Sequence, residues 1–216
     1  MNPSEASPNR IILFCKVPVA GRVKTRLIPA MGADAAADLQ FRLLKRVCAE
    51  LTQVLVGDMG RTVQVELRVD GAPPAEMQAL VGHPFRCIPQ GDGHLGHRMY
   101  RAVADAFADG VSRVVLIGAD VPELSDGLIL ASLSALHHSD VVIGPAEDGG
   151  YYLLGMKSPQ PSLFEEINWG SDTVFQETLH RIESASLTVH VLPTLYDLDR
   201  PEDVERWLAA ESMLKE

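Results

Sequence analysis

The chain has 216 residues, 46% of them hydrophobic and 22% charged, with a formal net charge of −10. That length suits one compact domain with a sizeable core, and the composition is that of an ordinary globular protein. The acidic balance argues against a general nucleic-acid or membrane-surface binder, which needs a broad basic face, but leaves room for a local basic site that takes a small anion.

Cys15, Cys48 and Cys87 are widely spaced with no CxxC pair. Neither a disulfide framework nor a zinc knuckle is indicated, and a reducing cytoplasm fits best. The opening MNPSEASPNR has no apolar signal core, and no stretch reaches the roughly 18 apolar residues that span a bilayer. Residues 1–9 are expected to form a flexible tail and 10–216 a single domain.

In chain order, RIILFC (10–15) is a short continuous apolar run, as expected of a strand buried on both faces. GADAAADLQFRLLKRVCAEL (32–51) places Leu39, Leu43, Leu44, Val47 and Leu51 at helical spacing. TVQVELRVDG (62–71) alternates Val63, Val65, Leu67 and Val69, the period of a strand. FRCIP (85–89) reads as a weaker strand and LGHRMYRAVADAFADG (95–110) as a helix with a glycine stop. RVVLIGAD (113–120) is the strongest buried strand, followed by a helix over 125–138 with Ser125 as N-cap. DVVIGP (140–145) and GYYLLGM (150–156) are strands around a turn. A helix over 171–185, a strand over 187–193 and a closing helix with Pro201 in its first turn complete the chain. This alternation predicts a mostly parallel α/β sheet whose ligand cleft lies at the carboxyl ends of the strands. The loops after residues 15, 89, 120 and 145 would then share one edge.

Several loops at that edge carry chemistry. FCKVPVAGRVKTRL (14–27) sets Lys16, Lys24, Thr25 and Arg26 around Gly21, which suits phosphate oxygens near a helix start, although the two-glycine P-loop pattern is absent. A solvated basic turn would look the same. GDGHLG (91–96) matches the dinucleotide pattern G-x-G-x-x-G and opens an oxidoreductase reading with Asp120 on a ribose, but it follows a weak strand late in the chain. Asp120, after an apolar strand, suits a magnesium ligand or a capping acid. In YDLDRPEDVERW, Asp197 and Asp199 fall on one face of an extended segment, and either could complete a metal site with Asp120, Asp199 being preferred. Glu147, Asp148, Gly149 and Gly150 form a turn that either closes a hairpin or lets a substrate approach an acid closely. The histidines form no triad or metal set, and no G-x-S-x-G elbow is present.

Together FCKVPVAGRVKTRLIPAMG, PQGDGHLGHRM, LIGADVPELSDGLI, DVVIGPAEDGGYYLLGM, LFEEINWGSDTVFQETL and LYDLDRPEDVERW resemble the bacterial glycosyltransferase-like family DUF2064, over nearly the whole chain. The resemblance implies a three-layer α/β/α sandwich of the GT-A (nucleotide-diphospho-sugar transferase) fold. It relates the chain to phospholactate guanylyltransferase, through VKTRL, and to molybdenum-cofactor guanylyltransferase-like proteins. By the same resemblance, Lys16, Gly21, Lys24, Thr25 and Arg26 would hold nucleotide phosphates, and Gln90 and Gly96 would lie at the base or ribose. Asp120 with Asp199 or Asp197 would bind Mg²⁺ or Mn²⁺. Glu147, Asp148, Gly149, Gly150 and Trp169 would face a small acceptor. Asp120 stands in GADVP and not in a D-x-D pair, so the usual glycosyltransferase metal motif is incomplete.

The implied reaction is either nucleotidyl transfer from a nucleoside triphosphate with loss of pyrophosphate, or glycosyl transfer from a nucleotide sugar with Asp148 as base. Lys24, Arg26, Asp120 and Asp148 are the candidate catalytic residues. A non-enzymatic nucleotide-binding regulatory protein, the rival from another class, would need the basic loop but not the acids.

Overall fold

The computed structural model describes residues 8–57, 62–82 and 85–213. Seven strands form one sheet among them: β1 (Asn9–Lys16), β2 (Val63–Asp70), β3 (Arg86–Pro89), β4 (Arg113–Gly118), β5 (Val141–Pro145), β6 (Tyr151–Met156) and β7 (Val189–Val191). Their spatial order is β3-β2-β1-β4-β6-β5-β7. β1 lies inside the sheet, between and parallel to β2 and β4, with Ile11 in register with Val65 and Val115. Only β6 runs against the others, antiparallel to both β4 and β5, because a tight turn returns the chain directly after β5. Of the expected tail, residues 1–7 lie outside the described residues, and Asn9 already opens β1.

Helices cover both faces, which confirms the three-layer α/β/α sandwich. Alternation along β1 sends Ile11, Leu13 and Cys15 to one face and Ile12 to the other. The first face packs on α2 (Ala33–Val56), α3 (Pro74–Val81) and α5 (Asp126–Ala135) through Leu44, Met77 and Ile129, each fully buried. The second packs on α4 (Leu95–Ala108) and α6 (Val174–Ser184) through Val103 and Ile182. A smaller cluster joins Leu27, Leu43 and Leu198 to Trp207 of α7 (Pro201–Met213), next to the short helix α1 (Ile28–Met31). Among the described residues no helix is long and apolar enough to cross a membrane.

Ser125 caps α5 as expected, its hydroxyl accepting from the Leu128 N–H. One helix departs from the sequence reading: α3 begins at Pro74 and ends at Gly82 in left-handed geometry. β2 forms as expected, and the charged residues between its apolar ones are buried as well: Glu66 is 1% and Arg68 3% exposed. Arg68 donates to Glu66 and to Asp105 of α4, so the charges are paired beneath the helix.

The carboxyl ends of β1 to β5 point to one edge, and that of the reversed β6 to the other. Lys16, Gln90, Asp120 and Ala146 therefore open on the same side of the molecule, as the alternation predicts.

Candidate functional site

A cleft of about 1230 Å³ runs along that edge. Its walls come from the loop after β1, the end of β4, the β5–β6 turn, the segment around Trp169 and the approach to α7. Lys16, Lys24, Thr25, Arg26, Gln90, Asp120, Glu147, Asp148, Gly150, Trp169, Asp197 and Asp199 all line it. Gly21, Gly96 and Gly149 are not among its lining residues, although their chain neighbours Arg22, Leu95, Asp148 and Gly150 are.

The opening loop is pinned at two points, Val23 and Leu27, which are 4% and 0% exposed. Gly21 turns the chain at φ 79°. Between the anchors Lys24 takes φ 47°, a left-handed conformation that costs a residue with a β-carbon about 1–2 kcal/mol. The conformation directs its side chain inward, 3% exposed, with Nζ 2.7 Å from Asp120 Oδ1 and 3.9 Å from Asp199 Oδ1. Arg26, largely exposed, donates to the other oxygen of Asp199. Two basic residues expected to meet phosphate thus also bind the acids expected to meet metal, while Lys16 and Thr25 face the cleft from exposed positions.

A single backbone bond brings the acids together. The Leu198 N–H donates to the Asp120 carbonyl at 2.9 Å, tying the segment before α7 to the end of β4. Leu198 is buried, so Asp197 and Asp199 on either side of it turn toward the cleft. Burial, then the neighbouring carboxylate of Asp148, pushes Asp197 up to about 6. Capping of α7 falls to Asp203, whose carboxylate accepts from the N–H groups of Asp199 and Arg200, leaving the Asp199 side chain to Lys24 and Arg26. Among the described residues no three His, Cys, Asp or Glu side chains gather as a metal ligand set. Two carboxylates beside room for phosphate oxygens nevertheless fit a hard divalent cation, which commonly takes one or two carboxylates and completes its shell with water and substrate.

The opposite wall is built around the β5–β6 turn. Asp148 accepts from the Gly150 N–H at 2.8 Å, an Asx turn that fixes its carboxylate at the surface. Gly149 has φ 90°, and a β-carbon there would lie 2.0 Å from the Asp172 carbonyl oxygen. Glu147 accepts from Arg206 of α7 at 2.9 Å, and that guanidinium also stacks 4.0 Å over the Tyr196 ring. Trp169 meets Tyr151 edge-on, with centroids 6.3 Å apart. A β-carbon on Gly96 would lie 2.5 Å from the Trp169 indole nitrogen, so this glycine permits the contact between the start of α4 and the Trp169 segment.

Gln90 is 5% exposed, and its amide N–H groups donate to the carbonyls of Cys15 and Arg68. Its oxygen accepts from Arg98 at 2.7 Å, so the side chain locks the strand ends that form the cleft floor. The GDGHLG loop follows β3 at the sheet edge, whereas a dinucleotide fingerprint is expected after a central strand, and Asp120 is engaged by Lys24. Sequence reasoning missed Arg98, Tyr196 and Arg206. Arg98 lies beside a motif already singled out, while Tyr196 and Arg206 carry no local signal and meet the site only through the packing of α7.

A sequence profile described as "Uncharacterized protein conserved in bacteria (DUF2064)" matches residues 55–171. The chain belongs to the DUF2064 family. A solved structure from Desulfovibrio desulfuricans G20, bearing the name of a nucleotide-diphospho-sugar transferase, is 35% identical to this DUF2064 chain. The match covers 90% of this chain and 83% of that one, with a TM-score of 0.79. More distant is the 4-diphosphocytidyl-2C-methyl-D-erythritol synthase of Anaerococcus prevotii DSM 20548, 12% identical over 98% and 100% of the two chains, TM-score 0.63. The glucosyl-3-phosphoglycerate synthase of Mycobacterium tuberculosis, solved with Mn²⁺, UDP and glucosyl-3-phosphoglycerate, is 11% identical over 91% and 74%, TM-score 0.55. The last two share the fold alone. No curated protein matches the DUF2064 chain in sequence. With these relatives, the sheet and its helical layers are those of the GT-A-like nucleotide-diphospho-sugar transferase fold.

Proposed function

We propose that this protein is a nucleotide-dependent transferase whose donor phosphates lie between the opening loop and the acid pair Asp120 and Asp199. The observation that carries the proposal is the Leu198 to Asp120 backbone bond, which sets two carboxylates and two basic side chains side by side in a cleft at the strand ends. A non-enzymatic binder would need the basic loop but not this second set. Asp120 and Asp199 would hold Mg²⁺ or Mn²⁺, which when bound offsets negative charge on the donor phosphates.

The chain's own residues do the rest. Lys16, Thr25 and Arg26 donate hydrogen bonds to phosphate oxygens, with Gly21 letting the loop backbone come close. Gln90, held by Arg98, and Gly96 fix the floor against which the nucleoside rests. Glu147, Asp148, Gly149, Gly150 and Trp169 face the acceptor, Trp169 as a flat apolar wall and Asp148 as the base that takes the acceptor's proton.

A nucleotide sugar is the favoured donor. Lys24 and Arg26 are partly neutralised by Asp120 and Asp199, which matches a diphosphate better than a triphosphate, and the 35% identical relative bears the name of a nucleotide-diphospho-sugar transferase. A nucleoside triphosphate is the second reading, favoured by Lys16 and Arg22, which add cationic walls to the same cleft. Melting curves with nucleotide sugars and nucleoside triphosphates, each with and without Mg²⁺, test both, since a ligand that binds only the fold raises Tm. A UDP- or GDP-sugar should raise Tm only with the cation present, and not in Asp120→Asn. Stabilisation by triphosphates alone would establish the second reading, and stabilisation by NAD alone would overturn both.

A further inference from the structure

Lys24 has two unusual properties at once. Its backbone is left-handed without being glycine, and its charged side chain is 3% exposed. Loops tolerate such a residue when the surroundings over-determine it, and such outliers gather at functional sites. Here Val23 and Leu27 hold the backbone on either side, and the Leu27 N–H donates to the Lys24 carbonyl at 2.9 Å. The ammonium lies 2.7 Å from Asp120 Oδ1 and 3.9 Å from Asp199 Oδ1, and all three residues line the cleft. The other oxygen of Asp199 is engaged by Arg26, whose side chain is 65% exposed and screened by water.

We infer that Lys24 is the resident cation of the acid pair, and that Lys24 and a divalent ion occupy the pair exclusively of one another. The inference rests on the reading of Asp120 and Asp199 as a cation site. An ammonium and a hard metal ion both seek carboxylate oxygen, and their like charges cannot share so short a span without a large Coulomb cost. Lys24 therefore keeps the acids together without metal, and sets a threshold that a divalent ion must exceed. Replacing it should strengthen cation binding, the opposite of what is expected if Lys24 merely supports the site.

The test is direct Mn²⁺ binding, read by electron paramagnetic resonance on the full chain without nucleotide. Lys24→Met should bind Mn²⁺ about tenfold or more tightly than the wild type, whereas Arg26→Met, losing an exposed charge, should change affinity by less than about threefold. Equal or weaker binding by K24M than by the wild type overturns the inference, as does an equal gain in R26M, which would reveal a general charge effect. A second readout needs no variant. Mass spectrometry of wild-type protein treated with an amine-reactive reagent should show Lys24 labelling rise when Mn²⁺ is added. Labelling that stays constant while Mn²⁺ binds also overturns it. Asp120→Asn separates the two levels: if it abolishes Mn²⁺ binding, the cation site stands whatever K24M does. If wild type, K24M and D120N all fail to bind Mn²⁺, the cation site falls together with this inference.

Discussion

At Lys24 a left-handed backbone and a buried side chain coincide. A lysine side chain 3% exposed must have its ammonium paired, and Asp120 at 2.7 Å is its nearest partner. Asp120→Asn leaves that ammonium with Asp199 alone. Because Asp120 is 52% exposed, the loss is well below that of a fully buried pair, about 1–2 kcal/mol, measurable by urea denaturation in EDTA. Unchanged stability would show that the pair does not hold the loop. Asp197 gives a pH signature. Its carboxyl binds a proton up to about pH 6 in the fold but only to its ordinary 3.8 in the unfolded chain. Between those values the folded chain holds more protons, so this contribution to stability is full at low pH and is lost as pH rises through 6. Asp197→Asn should therefore be more stable than the wild type at pH 7.5 by about 1–2 kcal/mol, after allowing for partial exposure, and equal to it near pH 4. A variant less stable at pH 7.5 would contradict the burial that raises this group. None of these pairings is legible locally: a lysine near a glycine reads alike as solvated, as phosphate-binding or as a counter-ion, and only the fold supplies Asp120 as its partner.

Among the elements, Gly149 and Gly96 differ from the glycine in the opening loop. Gly149→Ala would drive a methyl to within 2.0 Å of the Asp172 backbone at φ 90°, and Gly96→Ala would meet the Phe164 carbonyl and the Trp169 indole at 2.5 Å. Gly21 has nothing within 4 Å. Calorimetric melting should show G149A and G96A destabilised by about 2–4 kcal/mol and G21A by about 1 kcal/mol. A loss at Gly149 no larger than at Gly21 would mean that backbone conformation alone sets the cost there, and no loss at Gly96, whose φ is ordinary, would mean that its neighbours yield. Strands and long helices were readable because burial on both faces leaves continuous apolar runs, as in β1 and β4, and α2 repeats leucines at helical spacing. The burial of Glu66 and Arg68 in β2 is not legible in sequence, because their pairing involves Asp105, far along the chain. α3 was hidden by its prolines and by having only Met77 and Val81 to bury. The acidic turn at 147–150 was visible, but its brace, Arg206 stacked on Tyr196, arises from packing between distant elements.

Across the whole molecule, alternating strands and helices implied a parallel sheet with its cleft at the carboxyl edge. The insertion of antiparallel β6 between β4 and β5 could not be inferred, since a hairpin in sequence does not say which strand its second arm will pair with next. The insertion moves β5 one strand further from β4 while keeping its carboxyl end on the cleft, so the acidic turn and the basic loop line the same cleft. A net charge of −10 offsets part of the attraction of the local cations, because an anionic ligand reaches this cleft against the field of the whole chain. Raising ionic strength should therefore weaken nucleotide binding less steeply than for a basic protein, and titration at two salt concentrations checks it; a steep loss would indicate that the loop cations dominate. If Asp120 and Asp199 carry the cation that meets the donor's phosphates, anomalous diffraction from crystals soaked with Mn²⁺ and whichever nucleotide stabilises the protein most will locate it. One Mn²⁺ peak shared by Asp120, Asp199 and the nucleotide phosphates is expected, with the Lys24 amine withdrawn from the pair. A peak elsewhere, or nucleotide bound in the cleft with Lys24 still joined to Asp120 and no metal beside it, would contradict that role for the acid pair.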